Sequence, residues 1–135
     1  MEKIKVLVSW SGDNYAVGTG QIGGAVFATG KTIDEAKSEF ESAFQFHLDG
    51  CLADGDDLPE FVKNNDYEFD YEMQISAILH YFDGILTRAA LARVTGINQR
   101  QLGHYASGLS TPRPAQREKI INGFHRIASE LSSVV

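Results

Sequence analysis

The chain opens on strict alternation. Ile4, Val6, Val8 and Trp10 alternate with Lys5, Leu7 and Ser9, the period of a strand with one buried face. Ser11, Gly12, Asp13 and Asn14 carry turn chemistry, which predicts that residues 14–20 return as the antiparallel neighbour. A glycine-rich hairpin connection at residues 18–24 leads into Ala-Val-Phe-Ala-Thr, a third strand. Thr32-Ile33-Asp34-Glu35 is a capping box, in which Thr32 bonds a free amide and Glu35 reaches back to the cap. The helix it starts is expected to run to about Asp49 and to stop at Gly50. Ile33, Ala36, Phe40, Phe44 and His47 form its apolar stripe, with Ala43 beside it and His47 read as a packed core histidine. Phe46 falls off that stripe, roughly 140° from Ile33 at 100° per residue, and is a candidate contact for a partner or a second subunit. Residues 51–66 are polar and turn-rich and read as a loop with one short helical turn. Tyr67, Phe69, Tyr71 and Met73 then alternate with Glu68, Asp70 and Glu72, a half-buried strand whose solvent face is anionic. At a sheet edge those three carboxylates would discourage stray pairing, and they are also candidate contacts for a basic protein.

After Met73 the period becomes helical. Ile75, Ile78, Leu79 and Phe82 make a stripe that Asp83-Gly84 ends. Thr87 caps a second helix holding Leu91, Ala92 and Val94, which stops at Gly96. Asn98 caps a third, holding Leu102 and Tyr105, which stops at Gly108. Two short helices joined by about three residues that include a glycine form a helix-turn-helix unit. Small Ala92 permits a close crossing, while Leu102 and Tyr105 anchor the second helix inward. The polar face of that helix holds Gln99, Arg100, Gln101 and His104, candidates for base contacts in a major groove, where Gln suits adenine and Arg suits guanine. Arg88, Arg113 and Arg117 flank the unit as candidate phosphate contacts. Pro114 is placed to open a last helix, whose stripe of Ile120, Ile121, Phe124, Ile127, Ala128 and Leu131 is wide enough to close a small bundle or to pair two chains.

Charge changes this picture most. The formal net charge of the 135 residues is −6, but residues 1–72 hold five Lys/Arg against fifteen Asp/Glu, a net −10. Residues 73–135 hold seven against three, a net +4. The division predicts two domains, 1–72 and 73–135, with different partners: the basic half suits nucleic acid and the acidic half a basic protein. A hydrophobic content of 43% excludes disordered and low-complexity classes. No apolar run approaches the ~20 residues that cross a bilayer, so no membrane partner is expected. The single cysteine, Cys51, excludes an intramolecular disulfide and fits a reducing, cytoplasmic setting.

Catalysis is not expected. The glycines of residues 18–24 lack the Lys-Ser/Thr ending of a phosphate-binding loop. Asp54, Asp56 and Asp57 lack the spacing of a calcium loop, and no Cys/His pair has metal-ligand spacing. Glu68, Asp70 and Glu72 spread along a strand at about 7 Å steps rather than converging in a cleft. The first strand, read as residues 3–10, carries no acid. No catalytic residue, metal or cofactor follows.

Residues 88–114 resemble the Cro/repressor-type helix-turn-helix family, with Gln99, Arg100 and His104 at positions that family uses for bases and Arg88 near phosphate. The opening strand and hairpin, AVFATGKTIDEAKSEFESAF and GDDLPE are similar to a HicB-type antitoxin domain. The chain departs from the common antitoxin pattern where GTGQIGGAV stands in place of Pro-Asp-Leu-Pro-Gly-Cys. The resemblance implies an α+β fold: a small antiparallel sheet with one packed helix, partial ribonuclease-H-like, followed by an all-α helix-turn-helix domain. It implies an antitoxin that neutralises a HicA-like mRNA endoribonuclease toxin, represses its own operon at operator DNA and forms a homodimer or higher homo-oligomer. The alternative expectation is a stand-alone transcription regulator whose N-terminal domain oligomerises or senses a ligand.

Overall fold

A computed structural model describes residues 1–20 and 22–135; Gln21, inside the glycine-rich connection, lies outside the described residues. The fold is α+β and divides into two compact units, Met1–Gln74 and Ile75–Val135, so the division falls two residues past position 72. The reason is local: the last strand runs to Met73, and the Gln74 N–H still bonds the Val8 carbonyl at 2.7 Å.

In the first unit, strands β1 (Glu2–Trp10), β2 (Tyr15–Thr19) and β3 (Val26–Gly30) precede helix α1 (Ile33–Ala53), the short helix α2 (Glu60–Lys63) and strand β4 (Tyr67–Met73). The strand order is β3-β2-β1-β4. β1 pairs antiparallel with β2, and β2 with β3, but β4 runs parallel to β1. The sheet is therefore mixed, not the antiparallel sheet expected. A parallel neighbour needs a crossover connection, and residues 31–66, with α1 inside them, supply it. β1 also starts one residue earlier than expected, so it carries one acid after all, the exposed Glu2 at its end.

Register separates the two faces. Ile4, Val6 and Val8 lie opposite Phe69, Tyr71 and Met73 on the covered face. Phe40 and Phe44 of α1 stack there against Phe69 at 5.2 and 5.0 Å between ring centres, nearly edge to face. The other face is open and holds Lys3, Lys5 and Leu7 beside Glu68, Asp70 and Glu72. On that face the glycine at 18 separates Leu7 from the exposed Phe27.

Thr32 caps α1 as expected, its Oγ1 accepting from the Glu35 N–H at 3.1 Å. The stop does not fall at Gly50. The helix continues to Ala53, and Leu48 and Cys51 are buried along the stripe while Ile33 is only half-buried. The stop belongs to Gly55, at φ +73°. Its N–H bonds the Leu52 carbonyl at 3.2 Å and the Asp56 N–H bonds the Cys51 carbonyl at 2.9 Å, the paired bonds of a Schellman turn. Gly50 and Gly55 thus carry opposite signs. Neither has an atom within 4 Å of an added Cβ. Gly50→Ala should stabilise this unit by about 0.5–1 kcal/mol, as a helix-interior substitution does. Gly55→Ala should destabilise it by about 1–2 kcal/mol, the penalty for a left-handed non-glycine residue. Urea unfolding followed by Trp10 fluorescence measures both.

The Tyr71 hydroxyl donates to Glu41 Oε1 at 2.8 Å. Burial first, then this carboxylate, pushes its pKa well above the usual tyrosine value, and burial raises Tyr67 too. Both groups are neutral when folded. Their contribution is therefore complete below the unfolded-state pKa near 10 and is lost as pH rises through and beyond it. Unit stability should stay level to about pH 9 and fall above it, with a shallower fall in Tyr71→Phe; a matched set of urea melts at stepped pH tests this.

The second unit is helical: α3 (Ile75–Tyr81), α4 (Arg88–Thr95), α5 (Gln99–Ser107) and α6 (Pro114–Ser132). Phe82 lies just past the end of α3 and stacks on Phe124 of α6 at 5.4 Å. Ile75, Leu79, Leu91, Ile97, Leu102, Tyr105, Ala106 and Ile120 form one buried core. Thr87 and Asn98 cap α4 and α5, accepting from the Ala90 and Gln101 amides at 3.0 and 2.8 Å. Gly96 closes α4 at φ +76°. Pro114 opens α6 in its first turn.

Candidate nucleic-acid interface

The turn between α4 and α5 is pinned from inside. Thr95 is 8% exposed, and its hydroxyl donates to the Leu91 carbonyl at 2.7 Å while accepting from the Ile97 N–H at 3.1 Å. One side chain thus satisfies the end of α4 and the first amide after Gly96, and Ile97 itself is buried in the core. With Leu102, Tyr105 and Ala106 buried as well, the inward face of α5 is fixed.

That anchoring sets what α5 presents. With Leu102 as the inward direction, Arg100 lies roughly 160° away and His104 roughly 200°, so both project outward near the helix midline. Arg100 is exposed and His104 half-exposed. Among the described residues Arg100 makes no ion pair. Gln99 is exposed at the N-terminal end on one flank. Gln101 turns to the opposite flank, is half-buried, and donates from Nε2 to Ser110 Oγ at 3.4 Å. The four polar residues expected on one face therefore divide: Arg100 and His104 together, Gln99 to one side and Gln101 to the other. Ser107, exposed one turn beyond on the Arg100–His104 line, was not among the candidates. The 3.6-residue period applied from Leu102 identifies it.

Arg88 is brought to this surface. An added Cβ at Gly103 of α5 would meet its guanidinium Nη1 at 3.6 Å, and Nη2 lies 4.0 Å from Asp83 Oδ1. Arg113 is the exposed N-cap residue of α6, and Arg117 follows one turn later, its N–H bonding the Arg113 carbonyl at 2.9 Å. Such a surface can hold anions along a flank and present a flat guanidinium to a base edge.

The candidate partner contacts of the first unit do not share a surface. Glu68, Asp70 and Glu72 lie on the open face of the sheet, and Phe46, 81% exposed, projects from α1, which covers the other face. The carboxylates of β4 also face lysines across the register, Lys3 opposite Glu68 and Lys5 opposite Asp70, and Lys5 Nζ reaches Glu72 Oε1 at 3.8 Å. Reading β4 alone misses this neutralisation, because the lysines belong to a strand some 65 residues earlier.

His47 is half-buried rather than fully packed. Its Nε2 sits 2.9 Å from the Ile22 carbonyl, which can only accept, so this nitrogen carries the proton. Cys51 Sγ is 3.6 Å from the same nitrogen, and burial, then Asp56 and Asp54, push its thiol pKa up. A raised pKa disfavours the thiolate, so this thiol is poorly suited to attack or metal binding. Among the described residues no group of three or more His, Cys, Asp or Glu is placed to hold a metal ion. Among the described residues no helix is long and apolar enough to cross a membrane.

No family model, curated protein or solved structure matches this chain.

Proposed function

We propose that the chain is a HicB-type antitoxin and autorepressor: its C-terminal unit binds operator DNA through a helix-turn-helix formed by α4 and α5, and its N-terminal unit covers a basic, HicA-like RNA-cleaving toxin. One observation carries the DNA half, namely that Arg100 and His104 project from a helix whose opposite side is locked into the core, with Arg88 beside it. Gln99 and Arg100 at the start of α5 and His104 one turn on read bases, and Arg88, Arg113 and Arg117 hold phosphates. Gln101 serves as a flank contact at most, given its bond to Ser110.

The toxin half rests on net charge and on Phe46. Of the exposed acids of α1, Asp49 lies one turn from Phe46, and Glu39 and Glu35 lie on the same outward side about two and three turns earlier. The mixed sheet covered by one helix supports a partial ribonuclease-H-like reading, and the chain acts by binding rather than by cleavage. The pairing of Lys5 with Glu72 favours the second reading at β4, a stand-alone regulator whose N-terminal unit oligomerises or senses a ligand.

Titrating the protein against DNA from upstream of its own coding region tests the first half. Arg100→Ala should lose about 1–3 kcal/mol of affinity and relax preference at one base pair, whereas Arg88→Ala should weaken all sequences alike and lower the salt slope by about 1. Unchanged affinity in Arg100→Ala would remove α5 from the groove. Co-purification with the product of an adjacent small, basic reading frame, lost in Phe46→Ala, tests the second half. Retention of DNA binding with no such partner selects the stand-alone regulator.

A further inference from the structure

Among the described residues the sheet has no strand beyond β4, and the ladder on its inner side shows which groups its outer edge offers. The end rungs between β1 and β4 run from the Glu2 N–H to the Asp66 carbonyl at 3.2 Å and from the Gln74 N–H to the Val8 carbonyl at 2.7 Å. In a parallel pair alternate residues turn their amide groups to the neighbour, so the even-numbered residues of β4 bond β1. Tyr67, Phe69 and Tyr71 therefore turn their N–H and C=O groups to the outer edge.

Both faces of that edge are incomplete. On the covered face three rings form a row, Tyr67 to Phe69 at 5.7 Å and Phe69 to Tyr71 at 6.0 Å. All three are half-buried, while Ile4 and Val6 on the inner side have almost no exposed surface, so the uncovered parts of the rings lie toward the edge. On the open face Glu68 and Asp70 are exposed. Lys5 reaches Glu72, but among the described residues neither Glu68 nor Asp70 makes an ion pair.

We propose that β4 is a strand-addition site: an extended segment of a different, basic protein joins the sheet beyond β4, its apolar side chains on the aromatic row and its lysines or arginines on Glu68 and Asp70. Because successive side chains point to opposite faces, the two kinds of residue must alternate in that segment. Charge selects the occupant. Neighbouring strands lie about 4.8 Å apart, where opposite charges across the gap stabilise the pairing and like charges oppose it. A second copy of β4 would set its own carboxylates against Glu68, Asp70 and Glu72, so this edge disfavours the same chain and favours a basic one. The other edge, β3, carries no charged side chain and selects nothing. This site rests on the reading of the first unit as one that covers a basic partner, and it specifies how that partner is held, but its first test needs neither toxin nor DNA.

The probe is a blocked heptapeptide in which valine and lysine alternate, titrated into the full chain while amide hydrogen exchange is followed residue by residue by NMR. In the free chain the amides of Tyr67, Phe69 and Tyr71 should exchange far faster than those of Glu68, Asp70 and Glu72, and the peptide should slow all three by roughly tenfold or more. An N-methylated form of the peptide, which keeps the side chains but cannot donate, should protect none of them, nor should a counterpart with glutamate for lysine. Glu68→Lys combined with Asp70→Lys should weaken binding of the lysine peptide roughly tenfold and let the glutamate peptide protect the edge instead. Trp10 emission should be unchanged in that variant, since both side chains are exposed. Slow exchange at the three amides in the free chain, no protection by the lysine peptide, or equal protection by the methylated or glutamate peptide overturns the proposal. A toxin that co-purifies equally with the doubly substituted chain overturns this edge alone and leaves the toxin reading standing. Protection by the lysine peptide in a chain with no toxin partner removes that reading and leaves the edge.

Discussion

Phe40→Ala should unfold the N-terminal unit at ambient temperature while the helical unit stays folded. Phe40 has no exposed surface, and its ring lies 5.9 Å from Phe44, 5.2 Å from Phe69 and 6.5 Å from Tyr71. Truncating a fully buried aromatic removes its transfer free energy and leaves a cavity, about 3–5 kcal/mol together. A unit of 74 residues has little more than that to lose. The rest of the sheet cannot collapse into the space. β3 is already held so close to the start of α1 that a Cβ on Gly30 would sit 2.5 Å from the Ala36 nitrogen, which fixes the helix over the sheet. The chain supplies its own reporter, because its one tryptophan, Trp10, lies on β1 and stacks on Tyr15 at 5.1 Å. Trp10 fluorescence should therefore report an unfolded first unit while far-UV circular dichroism loses the signal of α1 and α2 but keeps that of α3 to α6. A variant with native Trp10 emission and an unshifted urea midpoint would show that Phe40 does not hold the sheet to its helix.

What was legible in the chain follows a physical division. Caps and stops that depend on side chains within four residues were read from the sequence: Thr32, Thr87 and Asn98 each accept the expected amide. Gly50 was misread because a glycine signals a helix end only if its carbonyl partners lie in the turn behind it. The choice between Gly50 and Gly55 was made by the burial of Leu48 and Cys51, a tertiary effect. The direction of β4 was not legible either, since alternation is the same for parallel and antiparallel strands. Its partner decided the electrostatics as well, because β1 sets Lys3 and Lys5 against carboxylates that looked unopposed. At the candidate interface, composition supplied the polar residues but not their spread. The 100° step separates Gln99 from Gln101, and only the position of Ser110 shows that Gln101 is occupied.

Gly123 carries the other large effect, and it links packing to recognition. It is a buried position in α6 where an added Cβ would meet Thr95 Cγ2 at 2.8 Å and Val94 Cγ1 at 3.5 Å. A glycine within the stripe of Ile120 and Ile127 was the sequence signal for this crossing, more direct than Ala92. Gly123→Leu should destabilise the helical unit by about 3 kcal/mol, the upper part of the usual overpacking range, because Thr95 cannot swing aside without breaking its bonds to Leu91 and Ile97. Those bonds shape the turn that aims α5, so under the proposed DNA-binding reading operator affinity should fall further than the loss of folded protein explains. A smaller cycle isolates the contact. Gly123→Ala should destabilise the unit despite the better helix propensity of alanine. Adding Thr95→Ser removes the clashing methyl but keeps the hydroxyl, and should recover about 0.5–3 kcal/mol relative to additivity. Chemical unfolding followed by circular dichroism across the four proteins measures that coupling. Strict additivity would mean that α4 and α6 do not meet at these two residues, and the orientation of Arg100 and His104 would then need another cause.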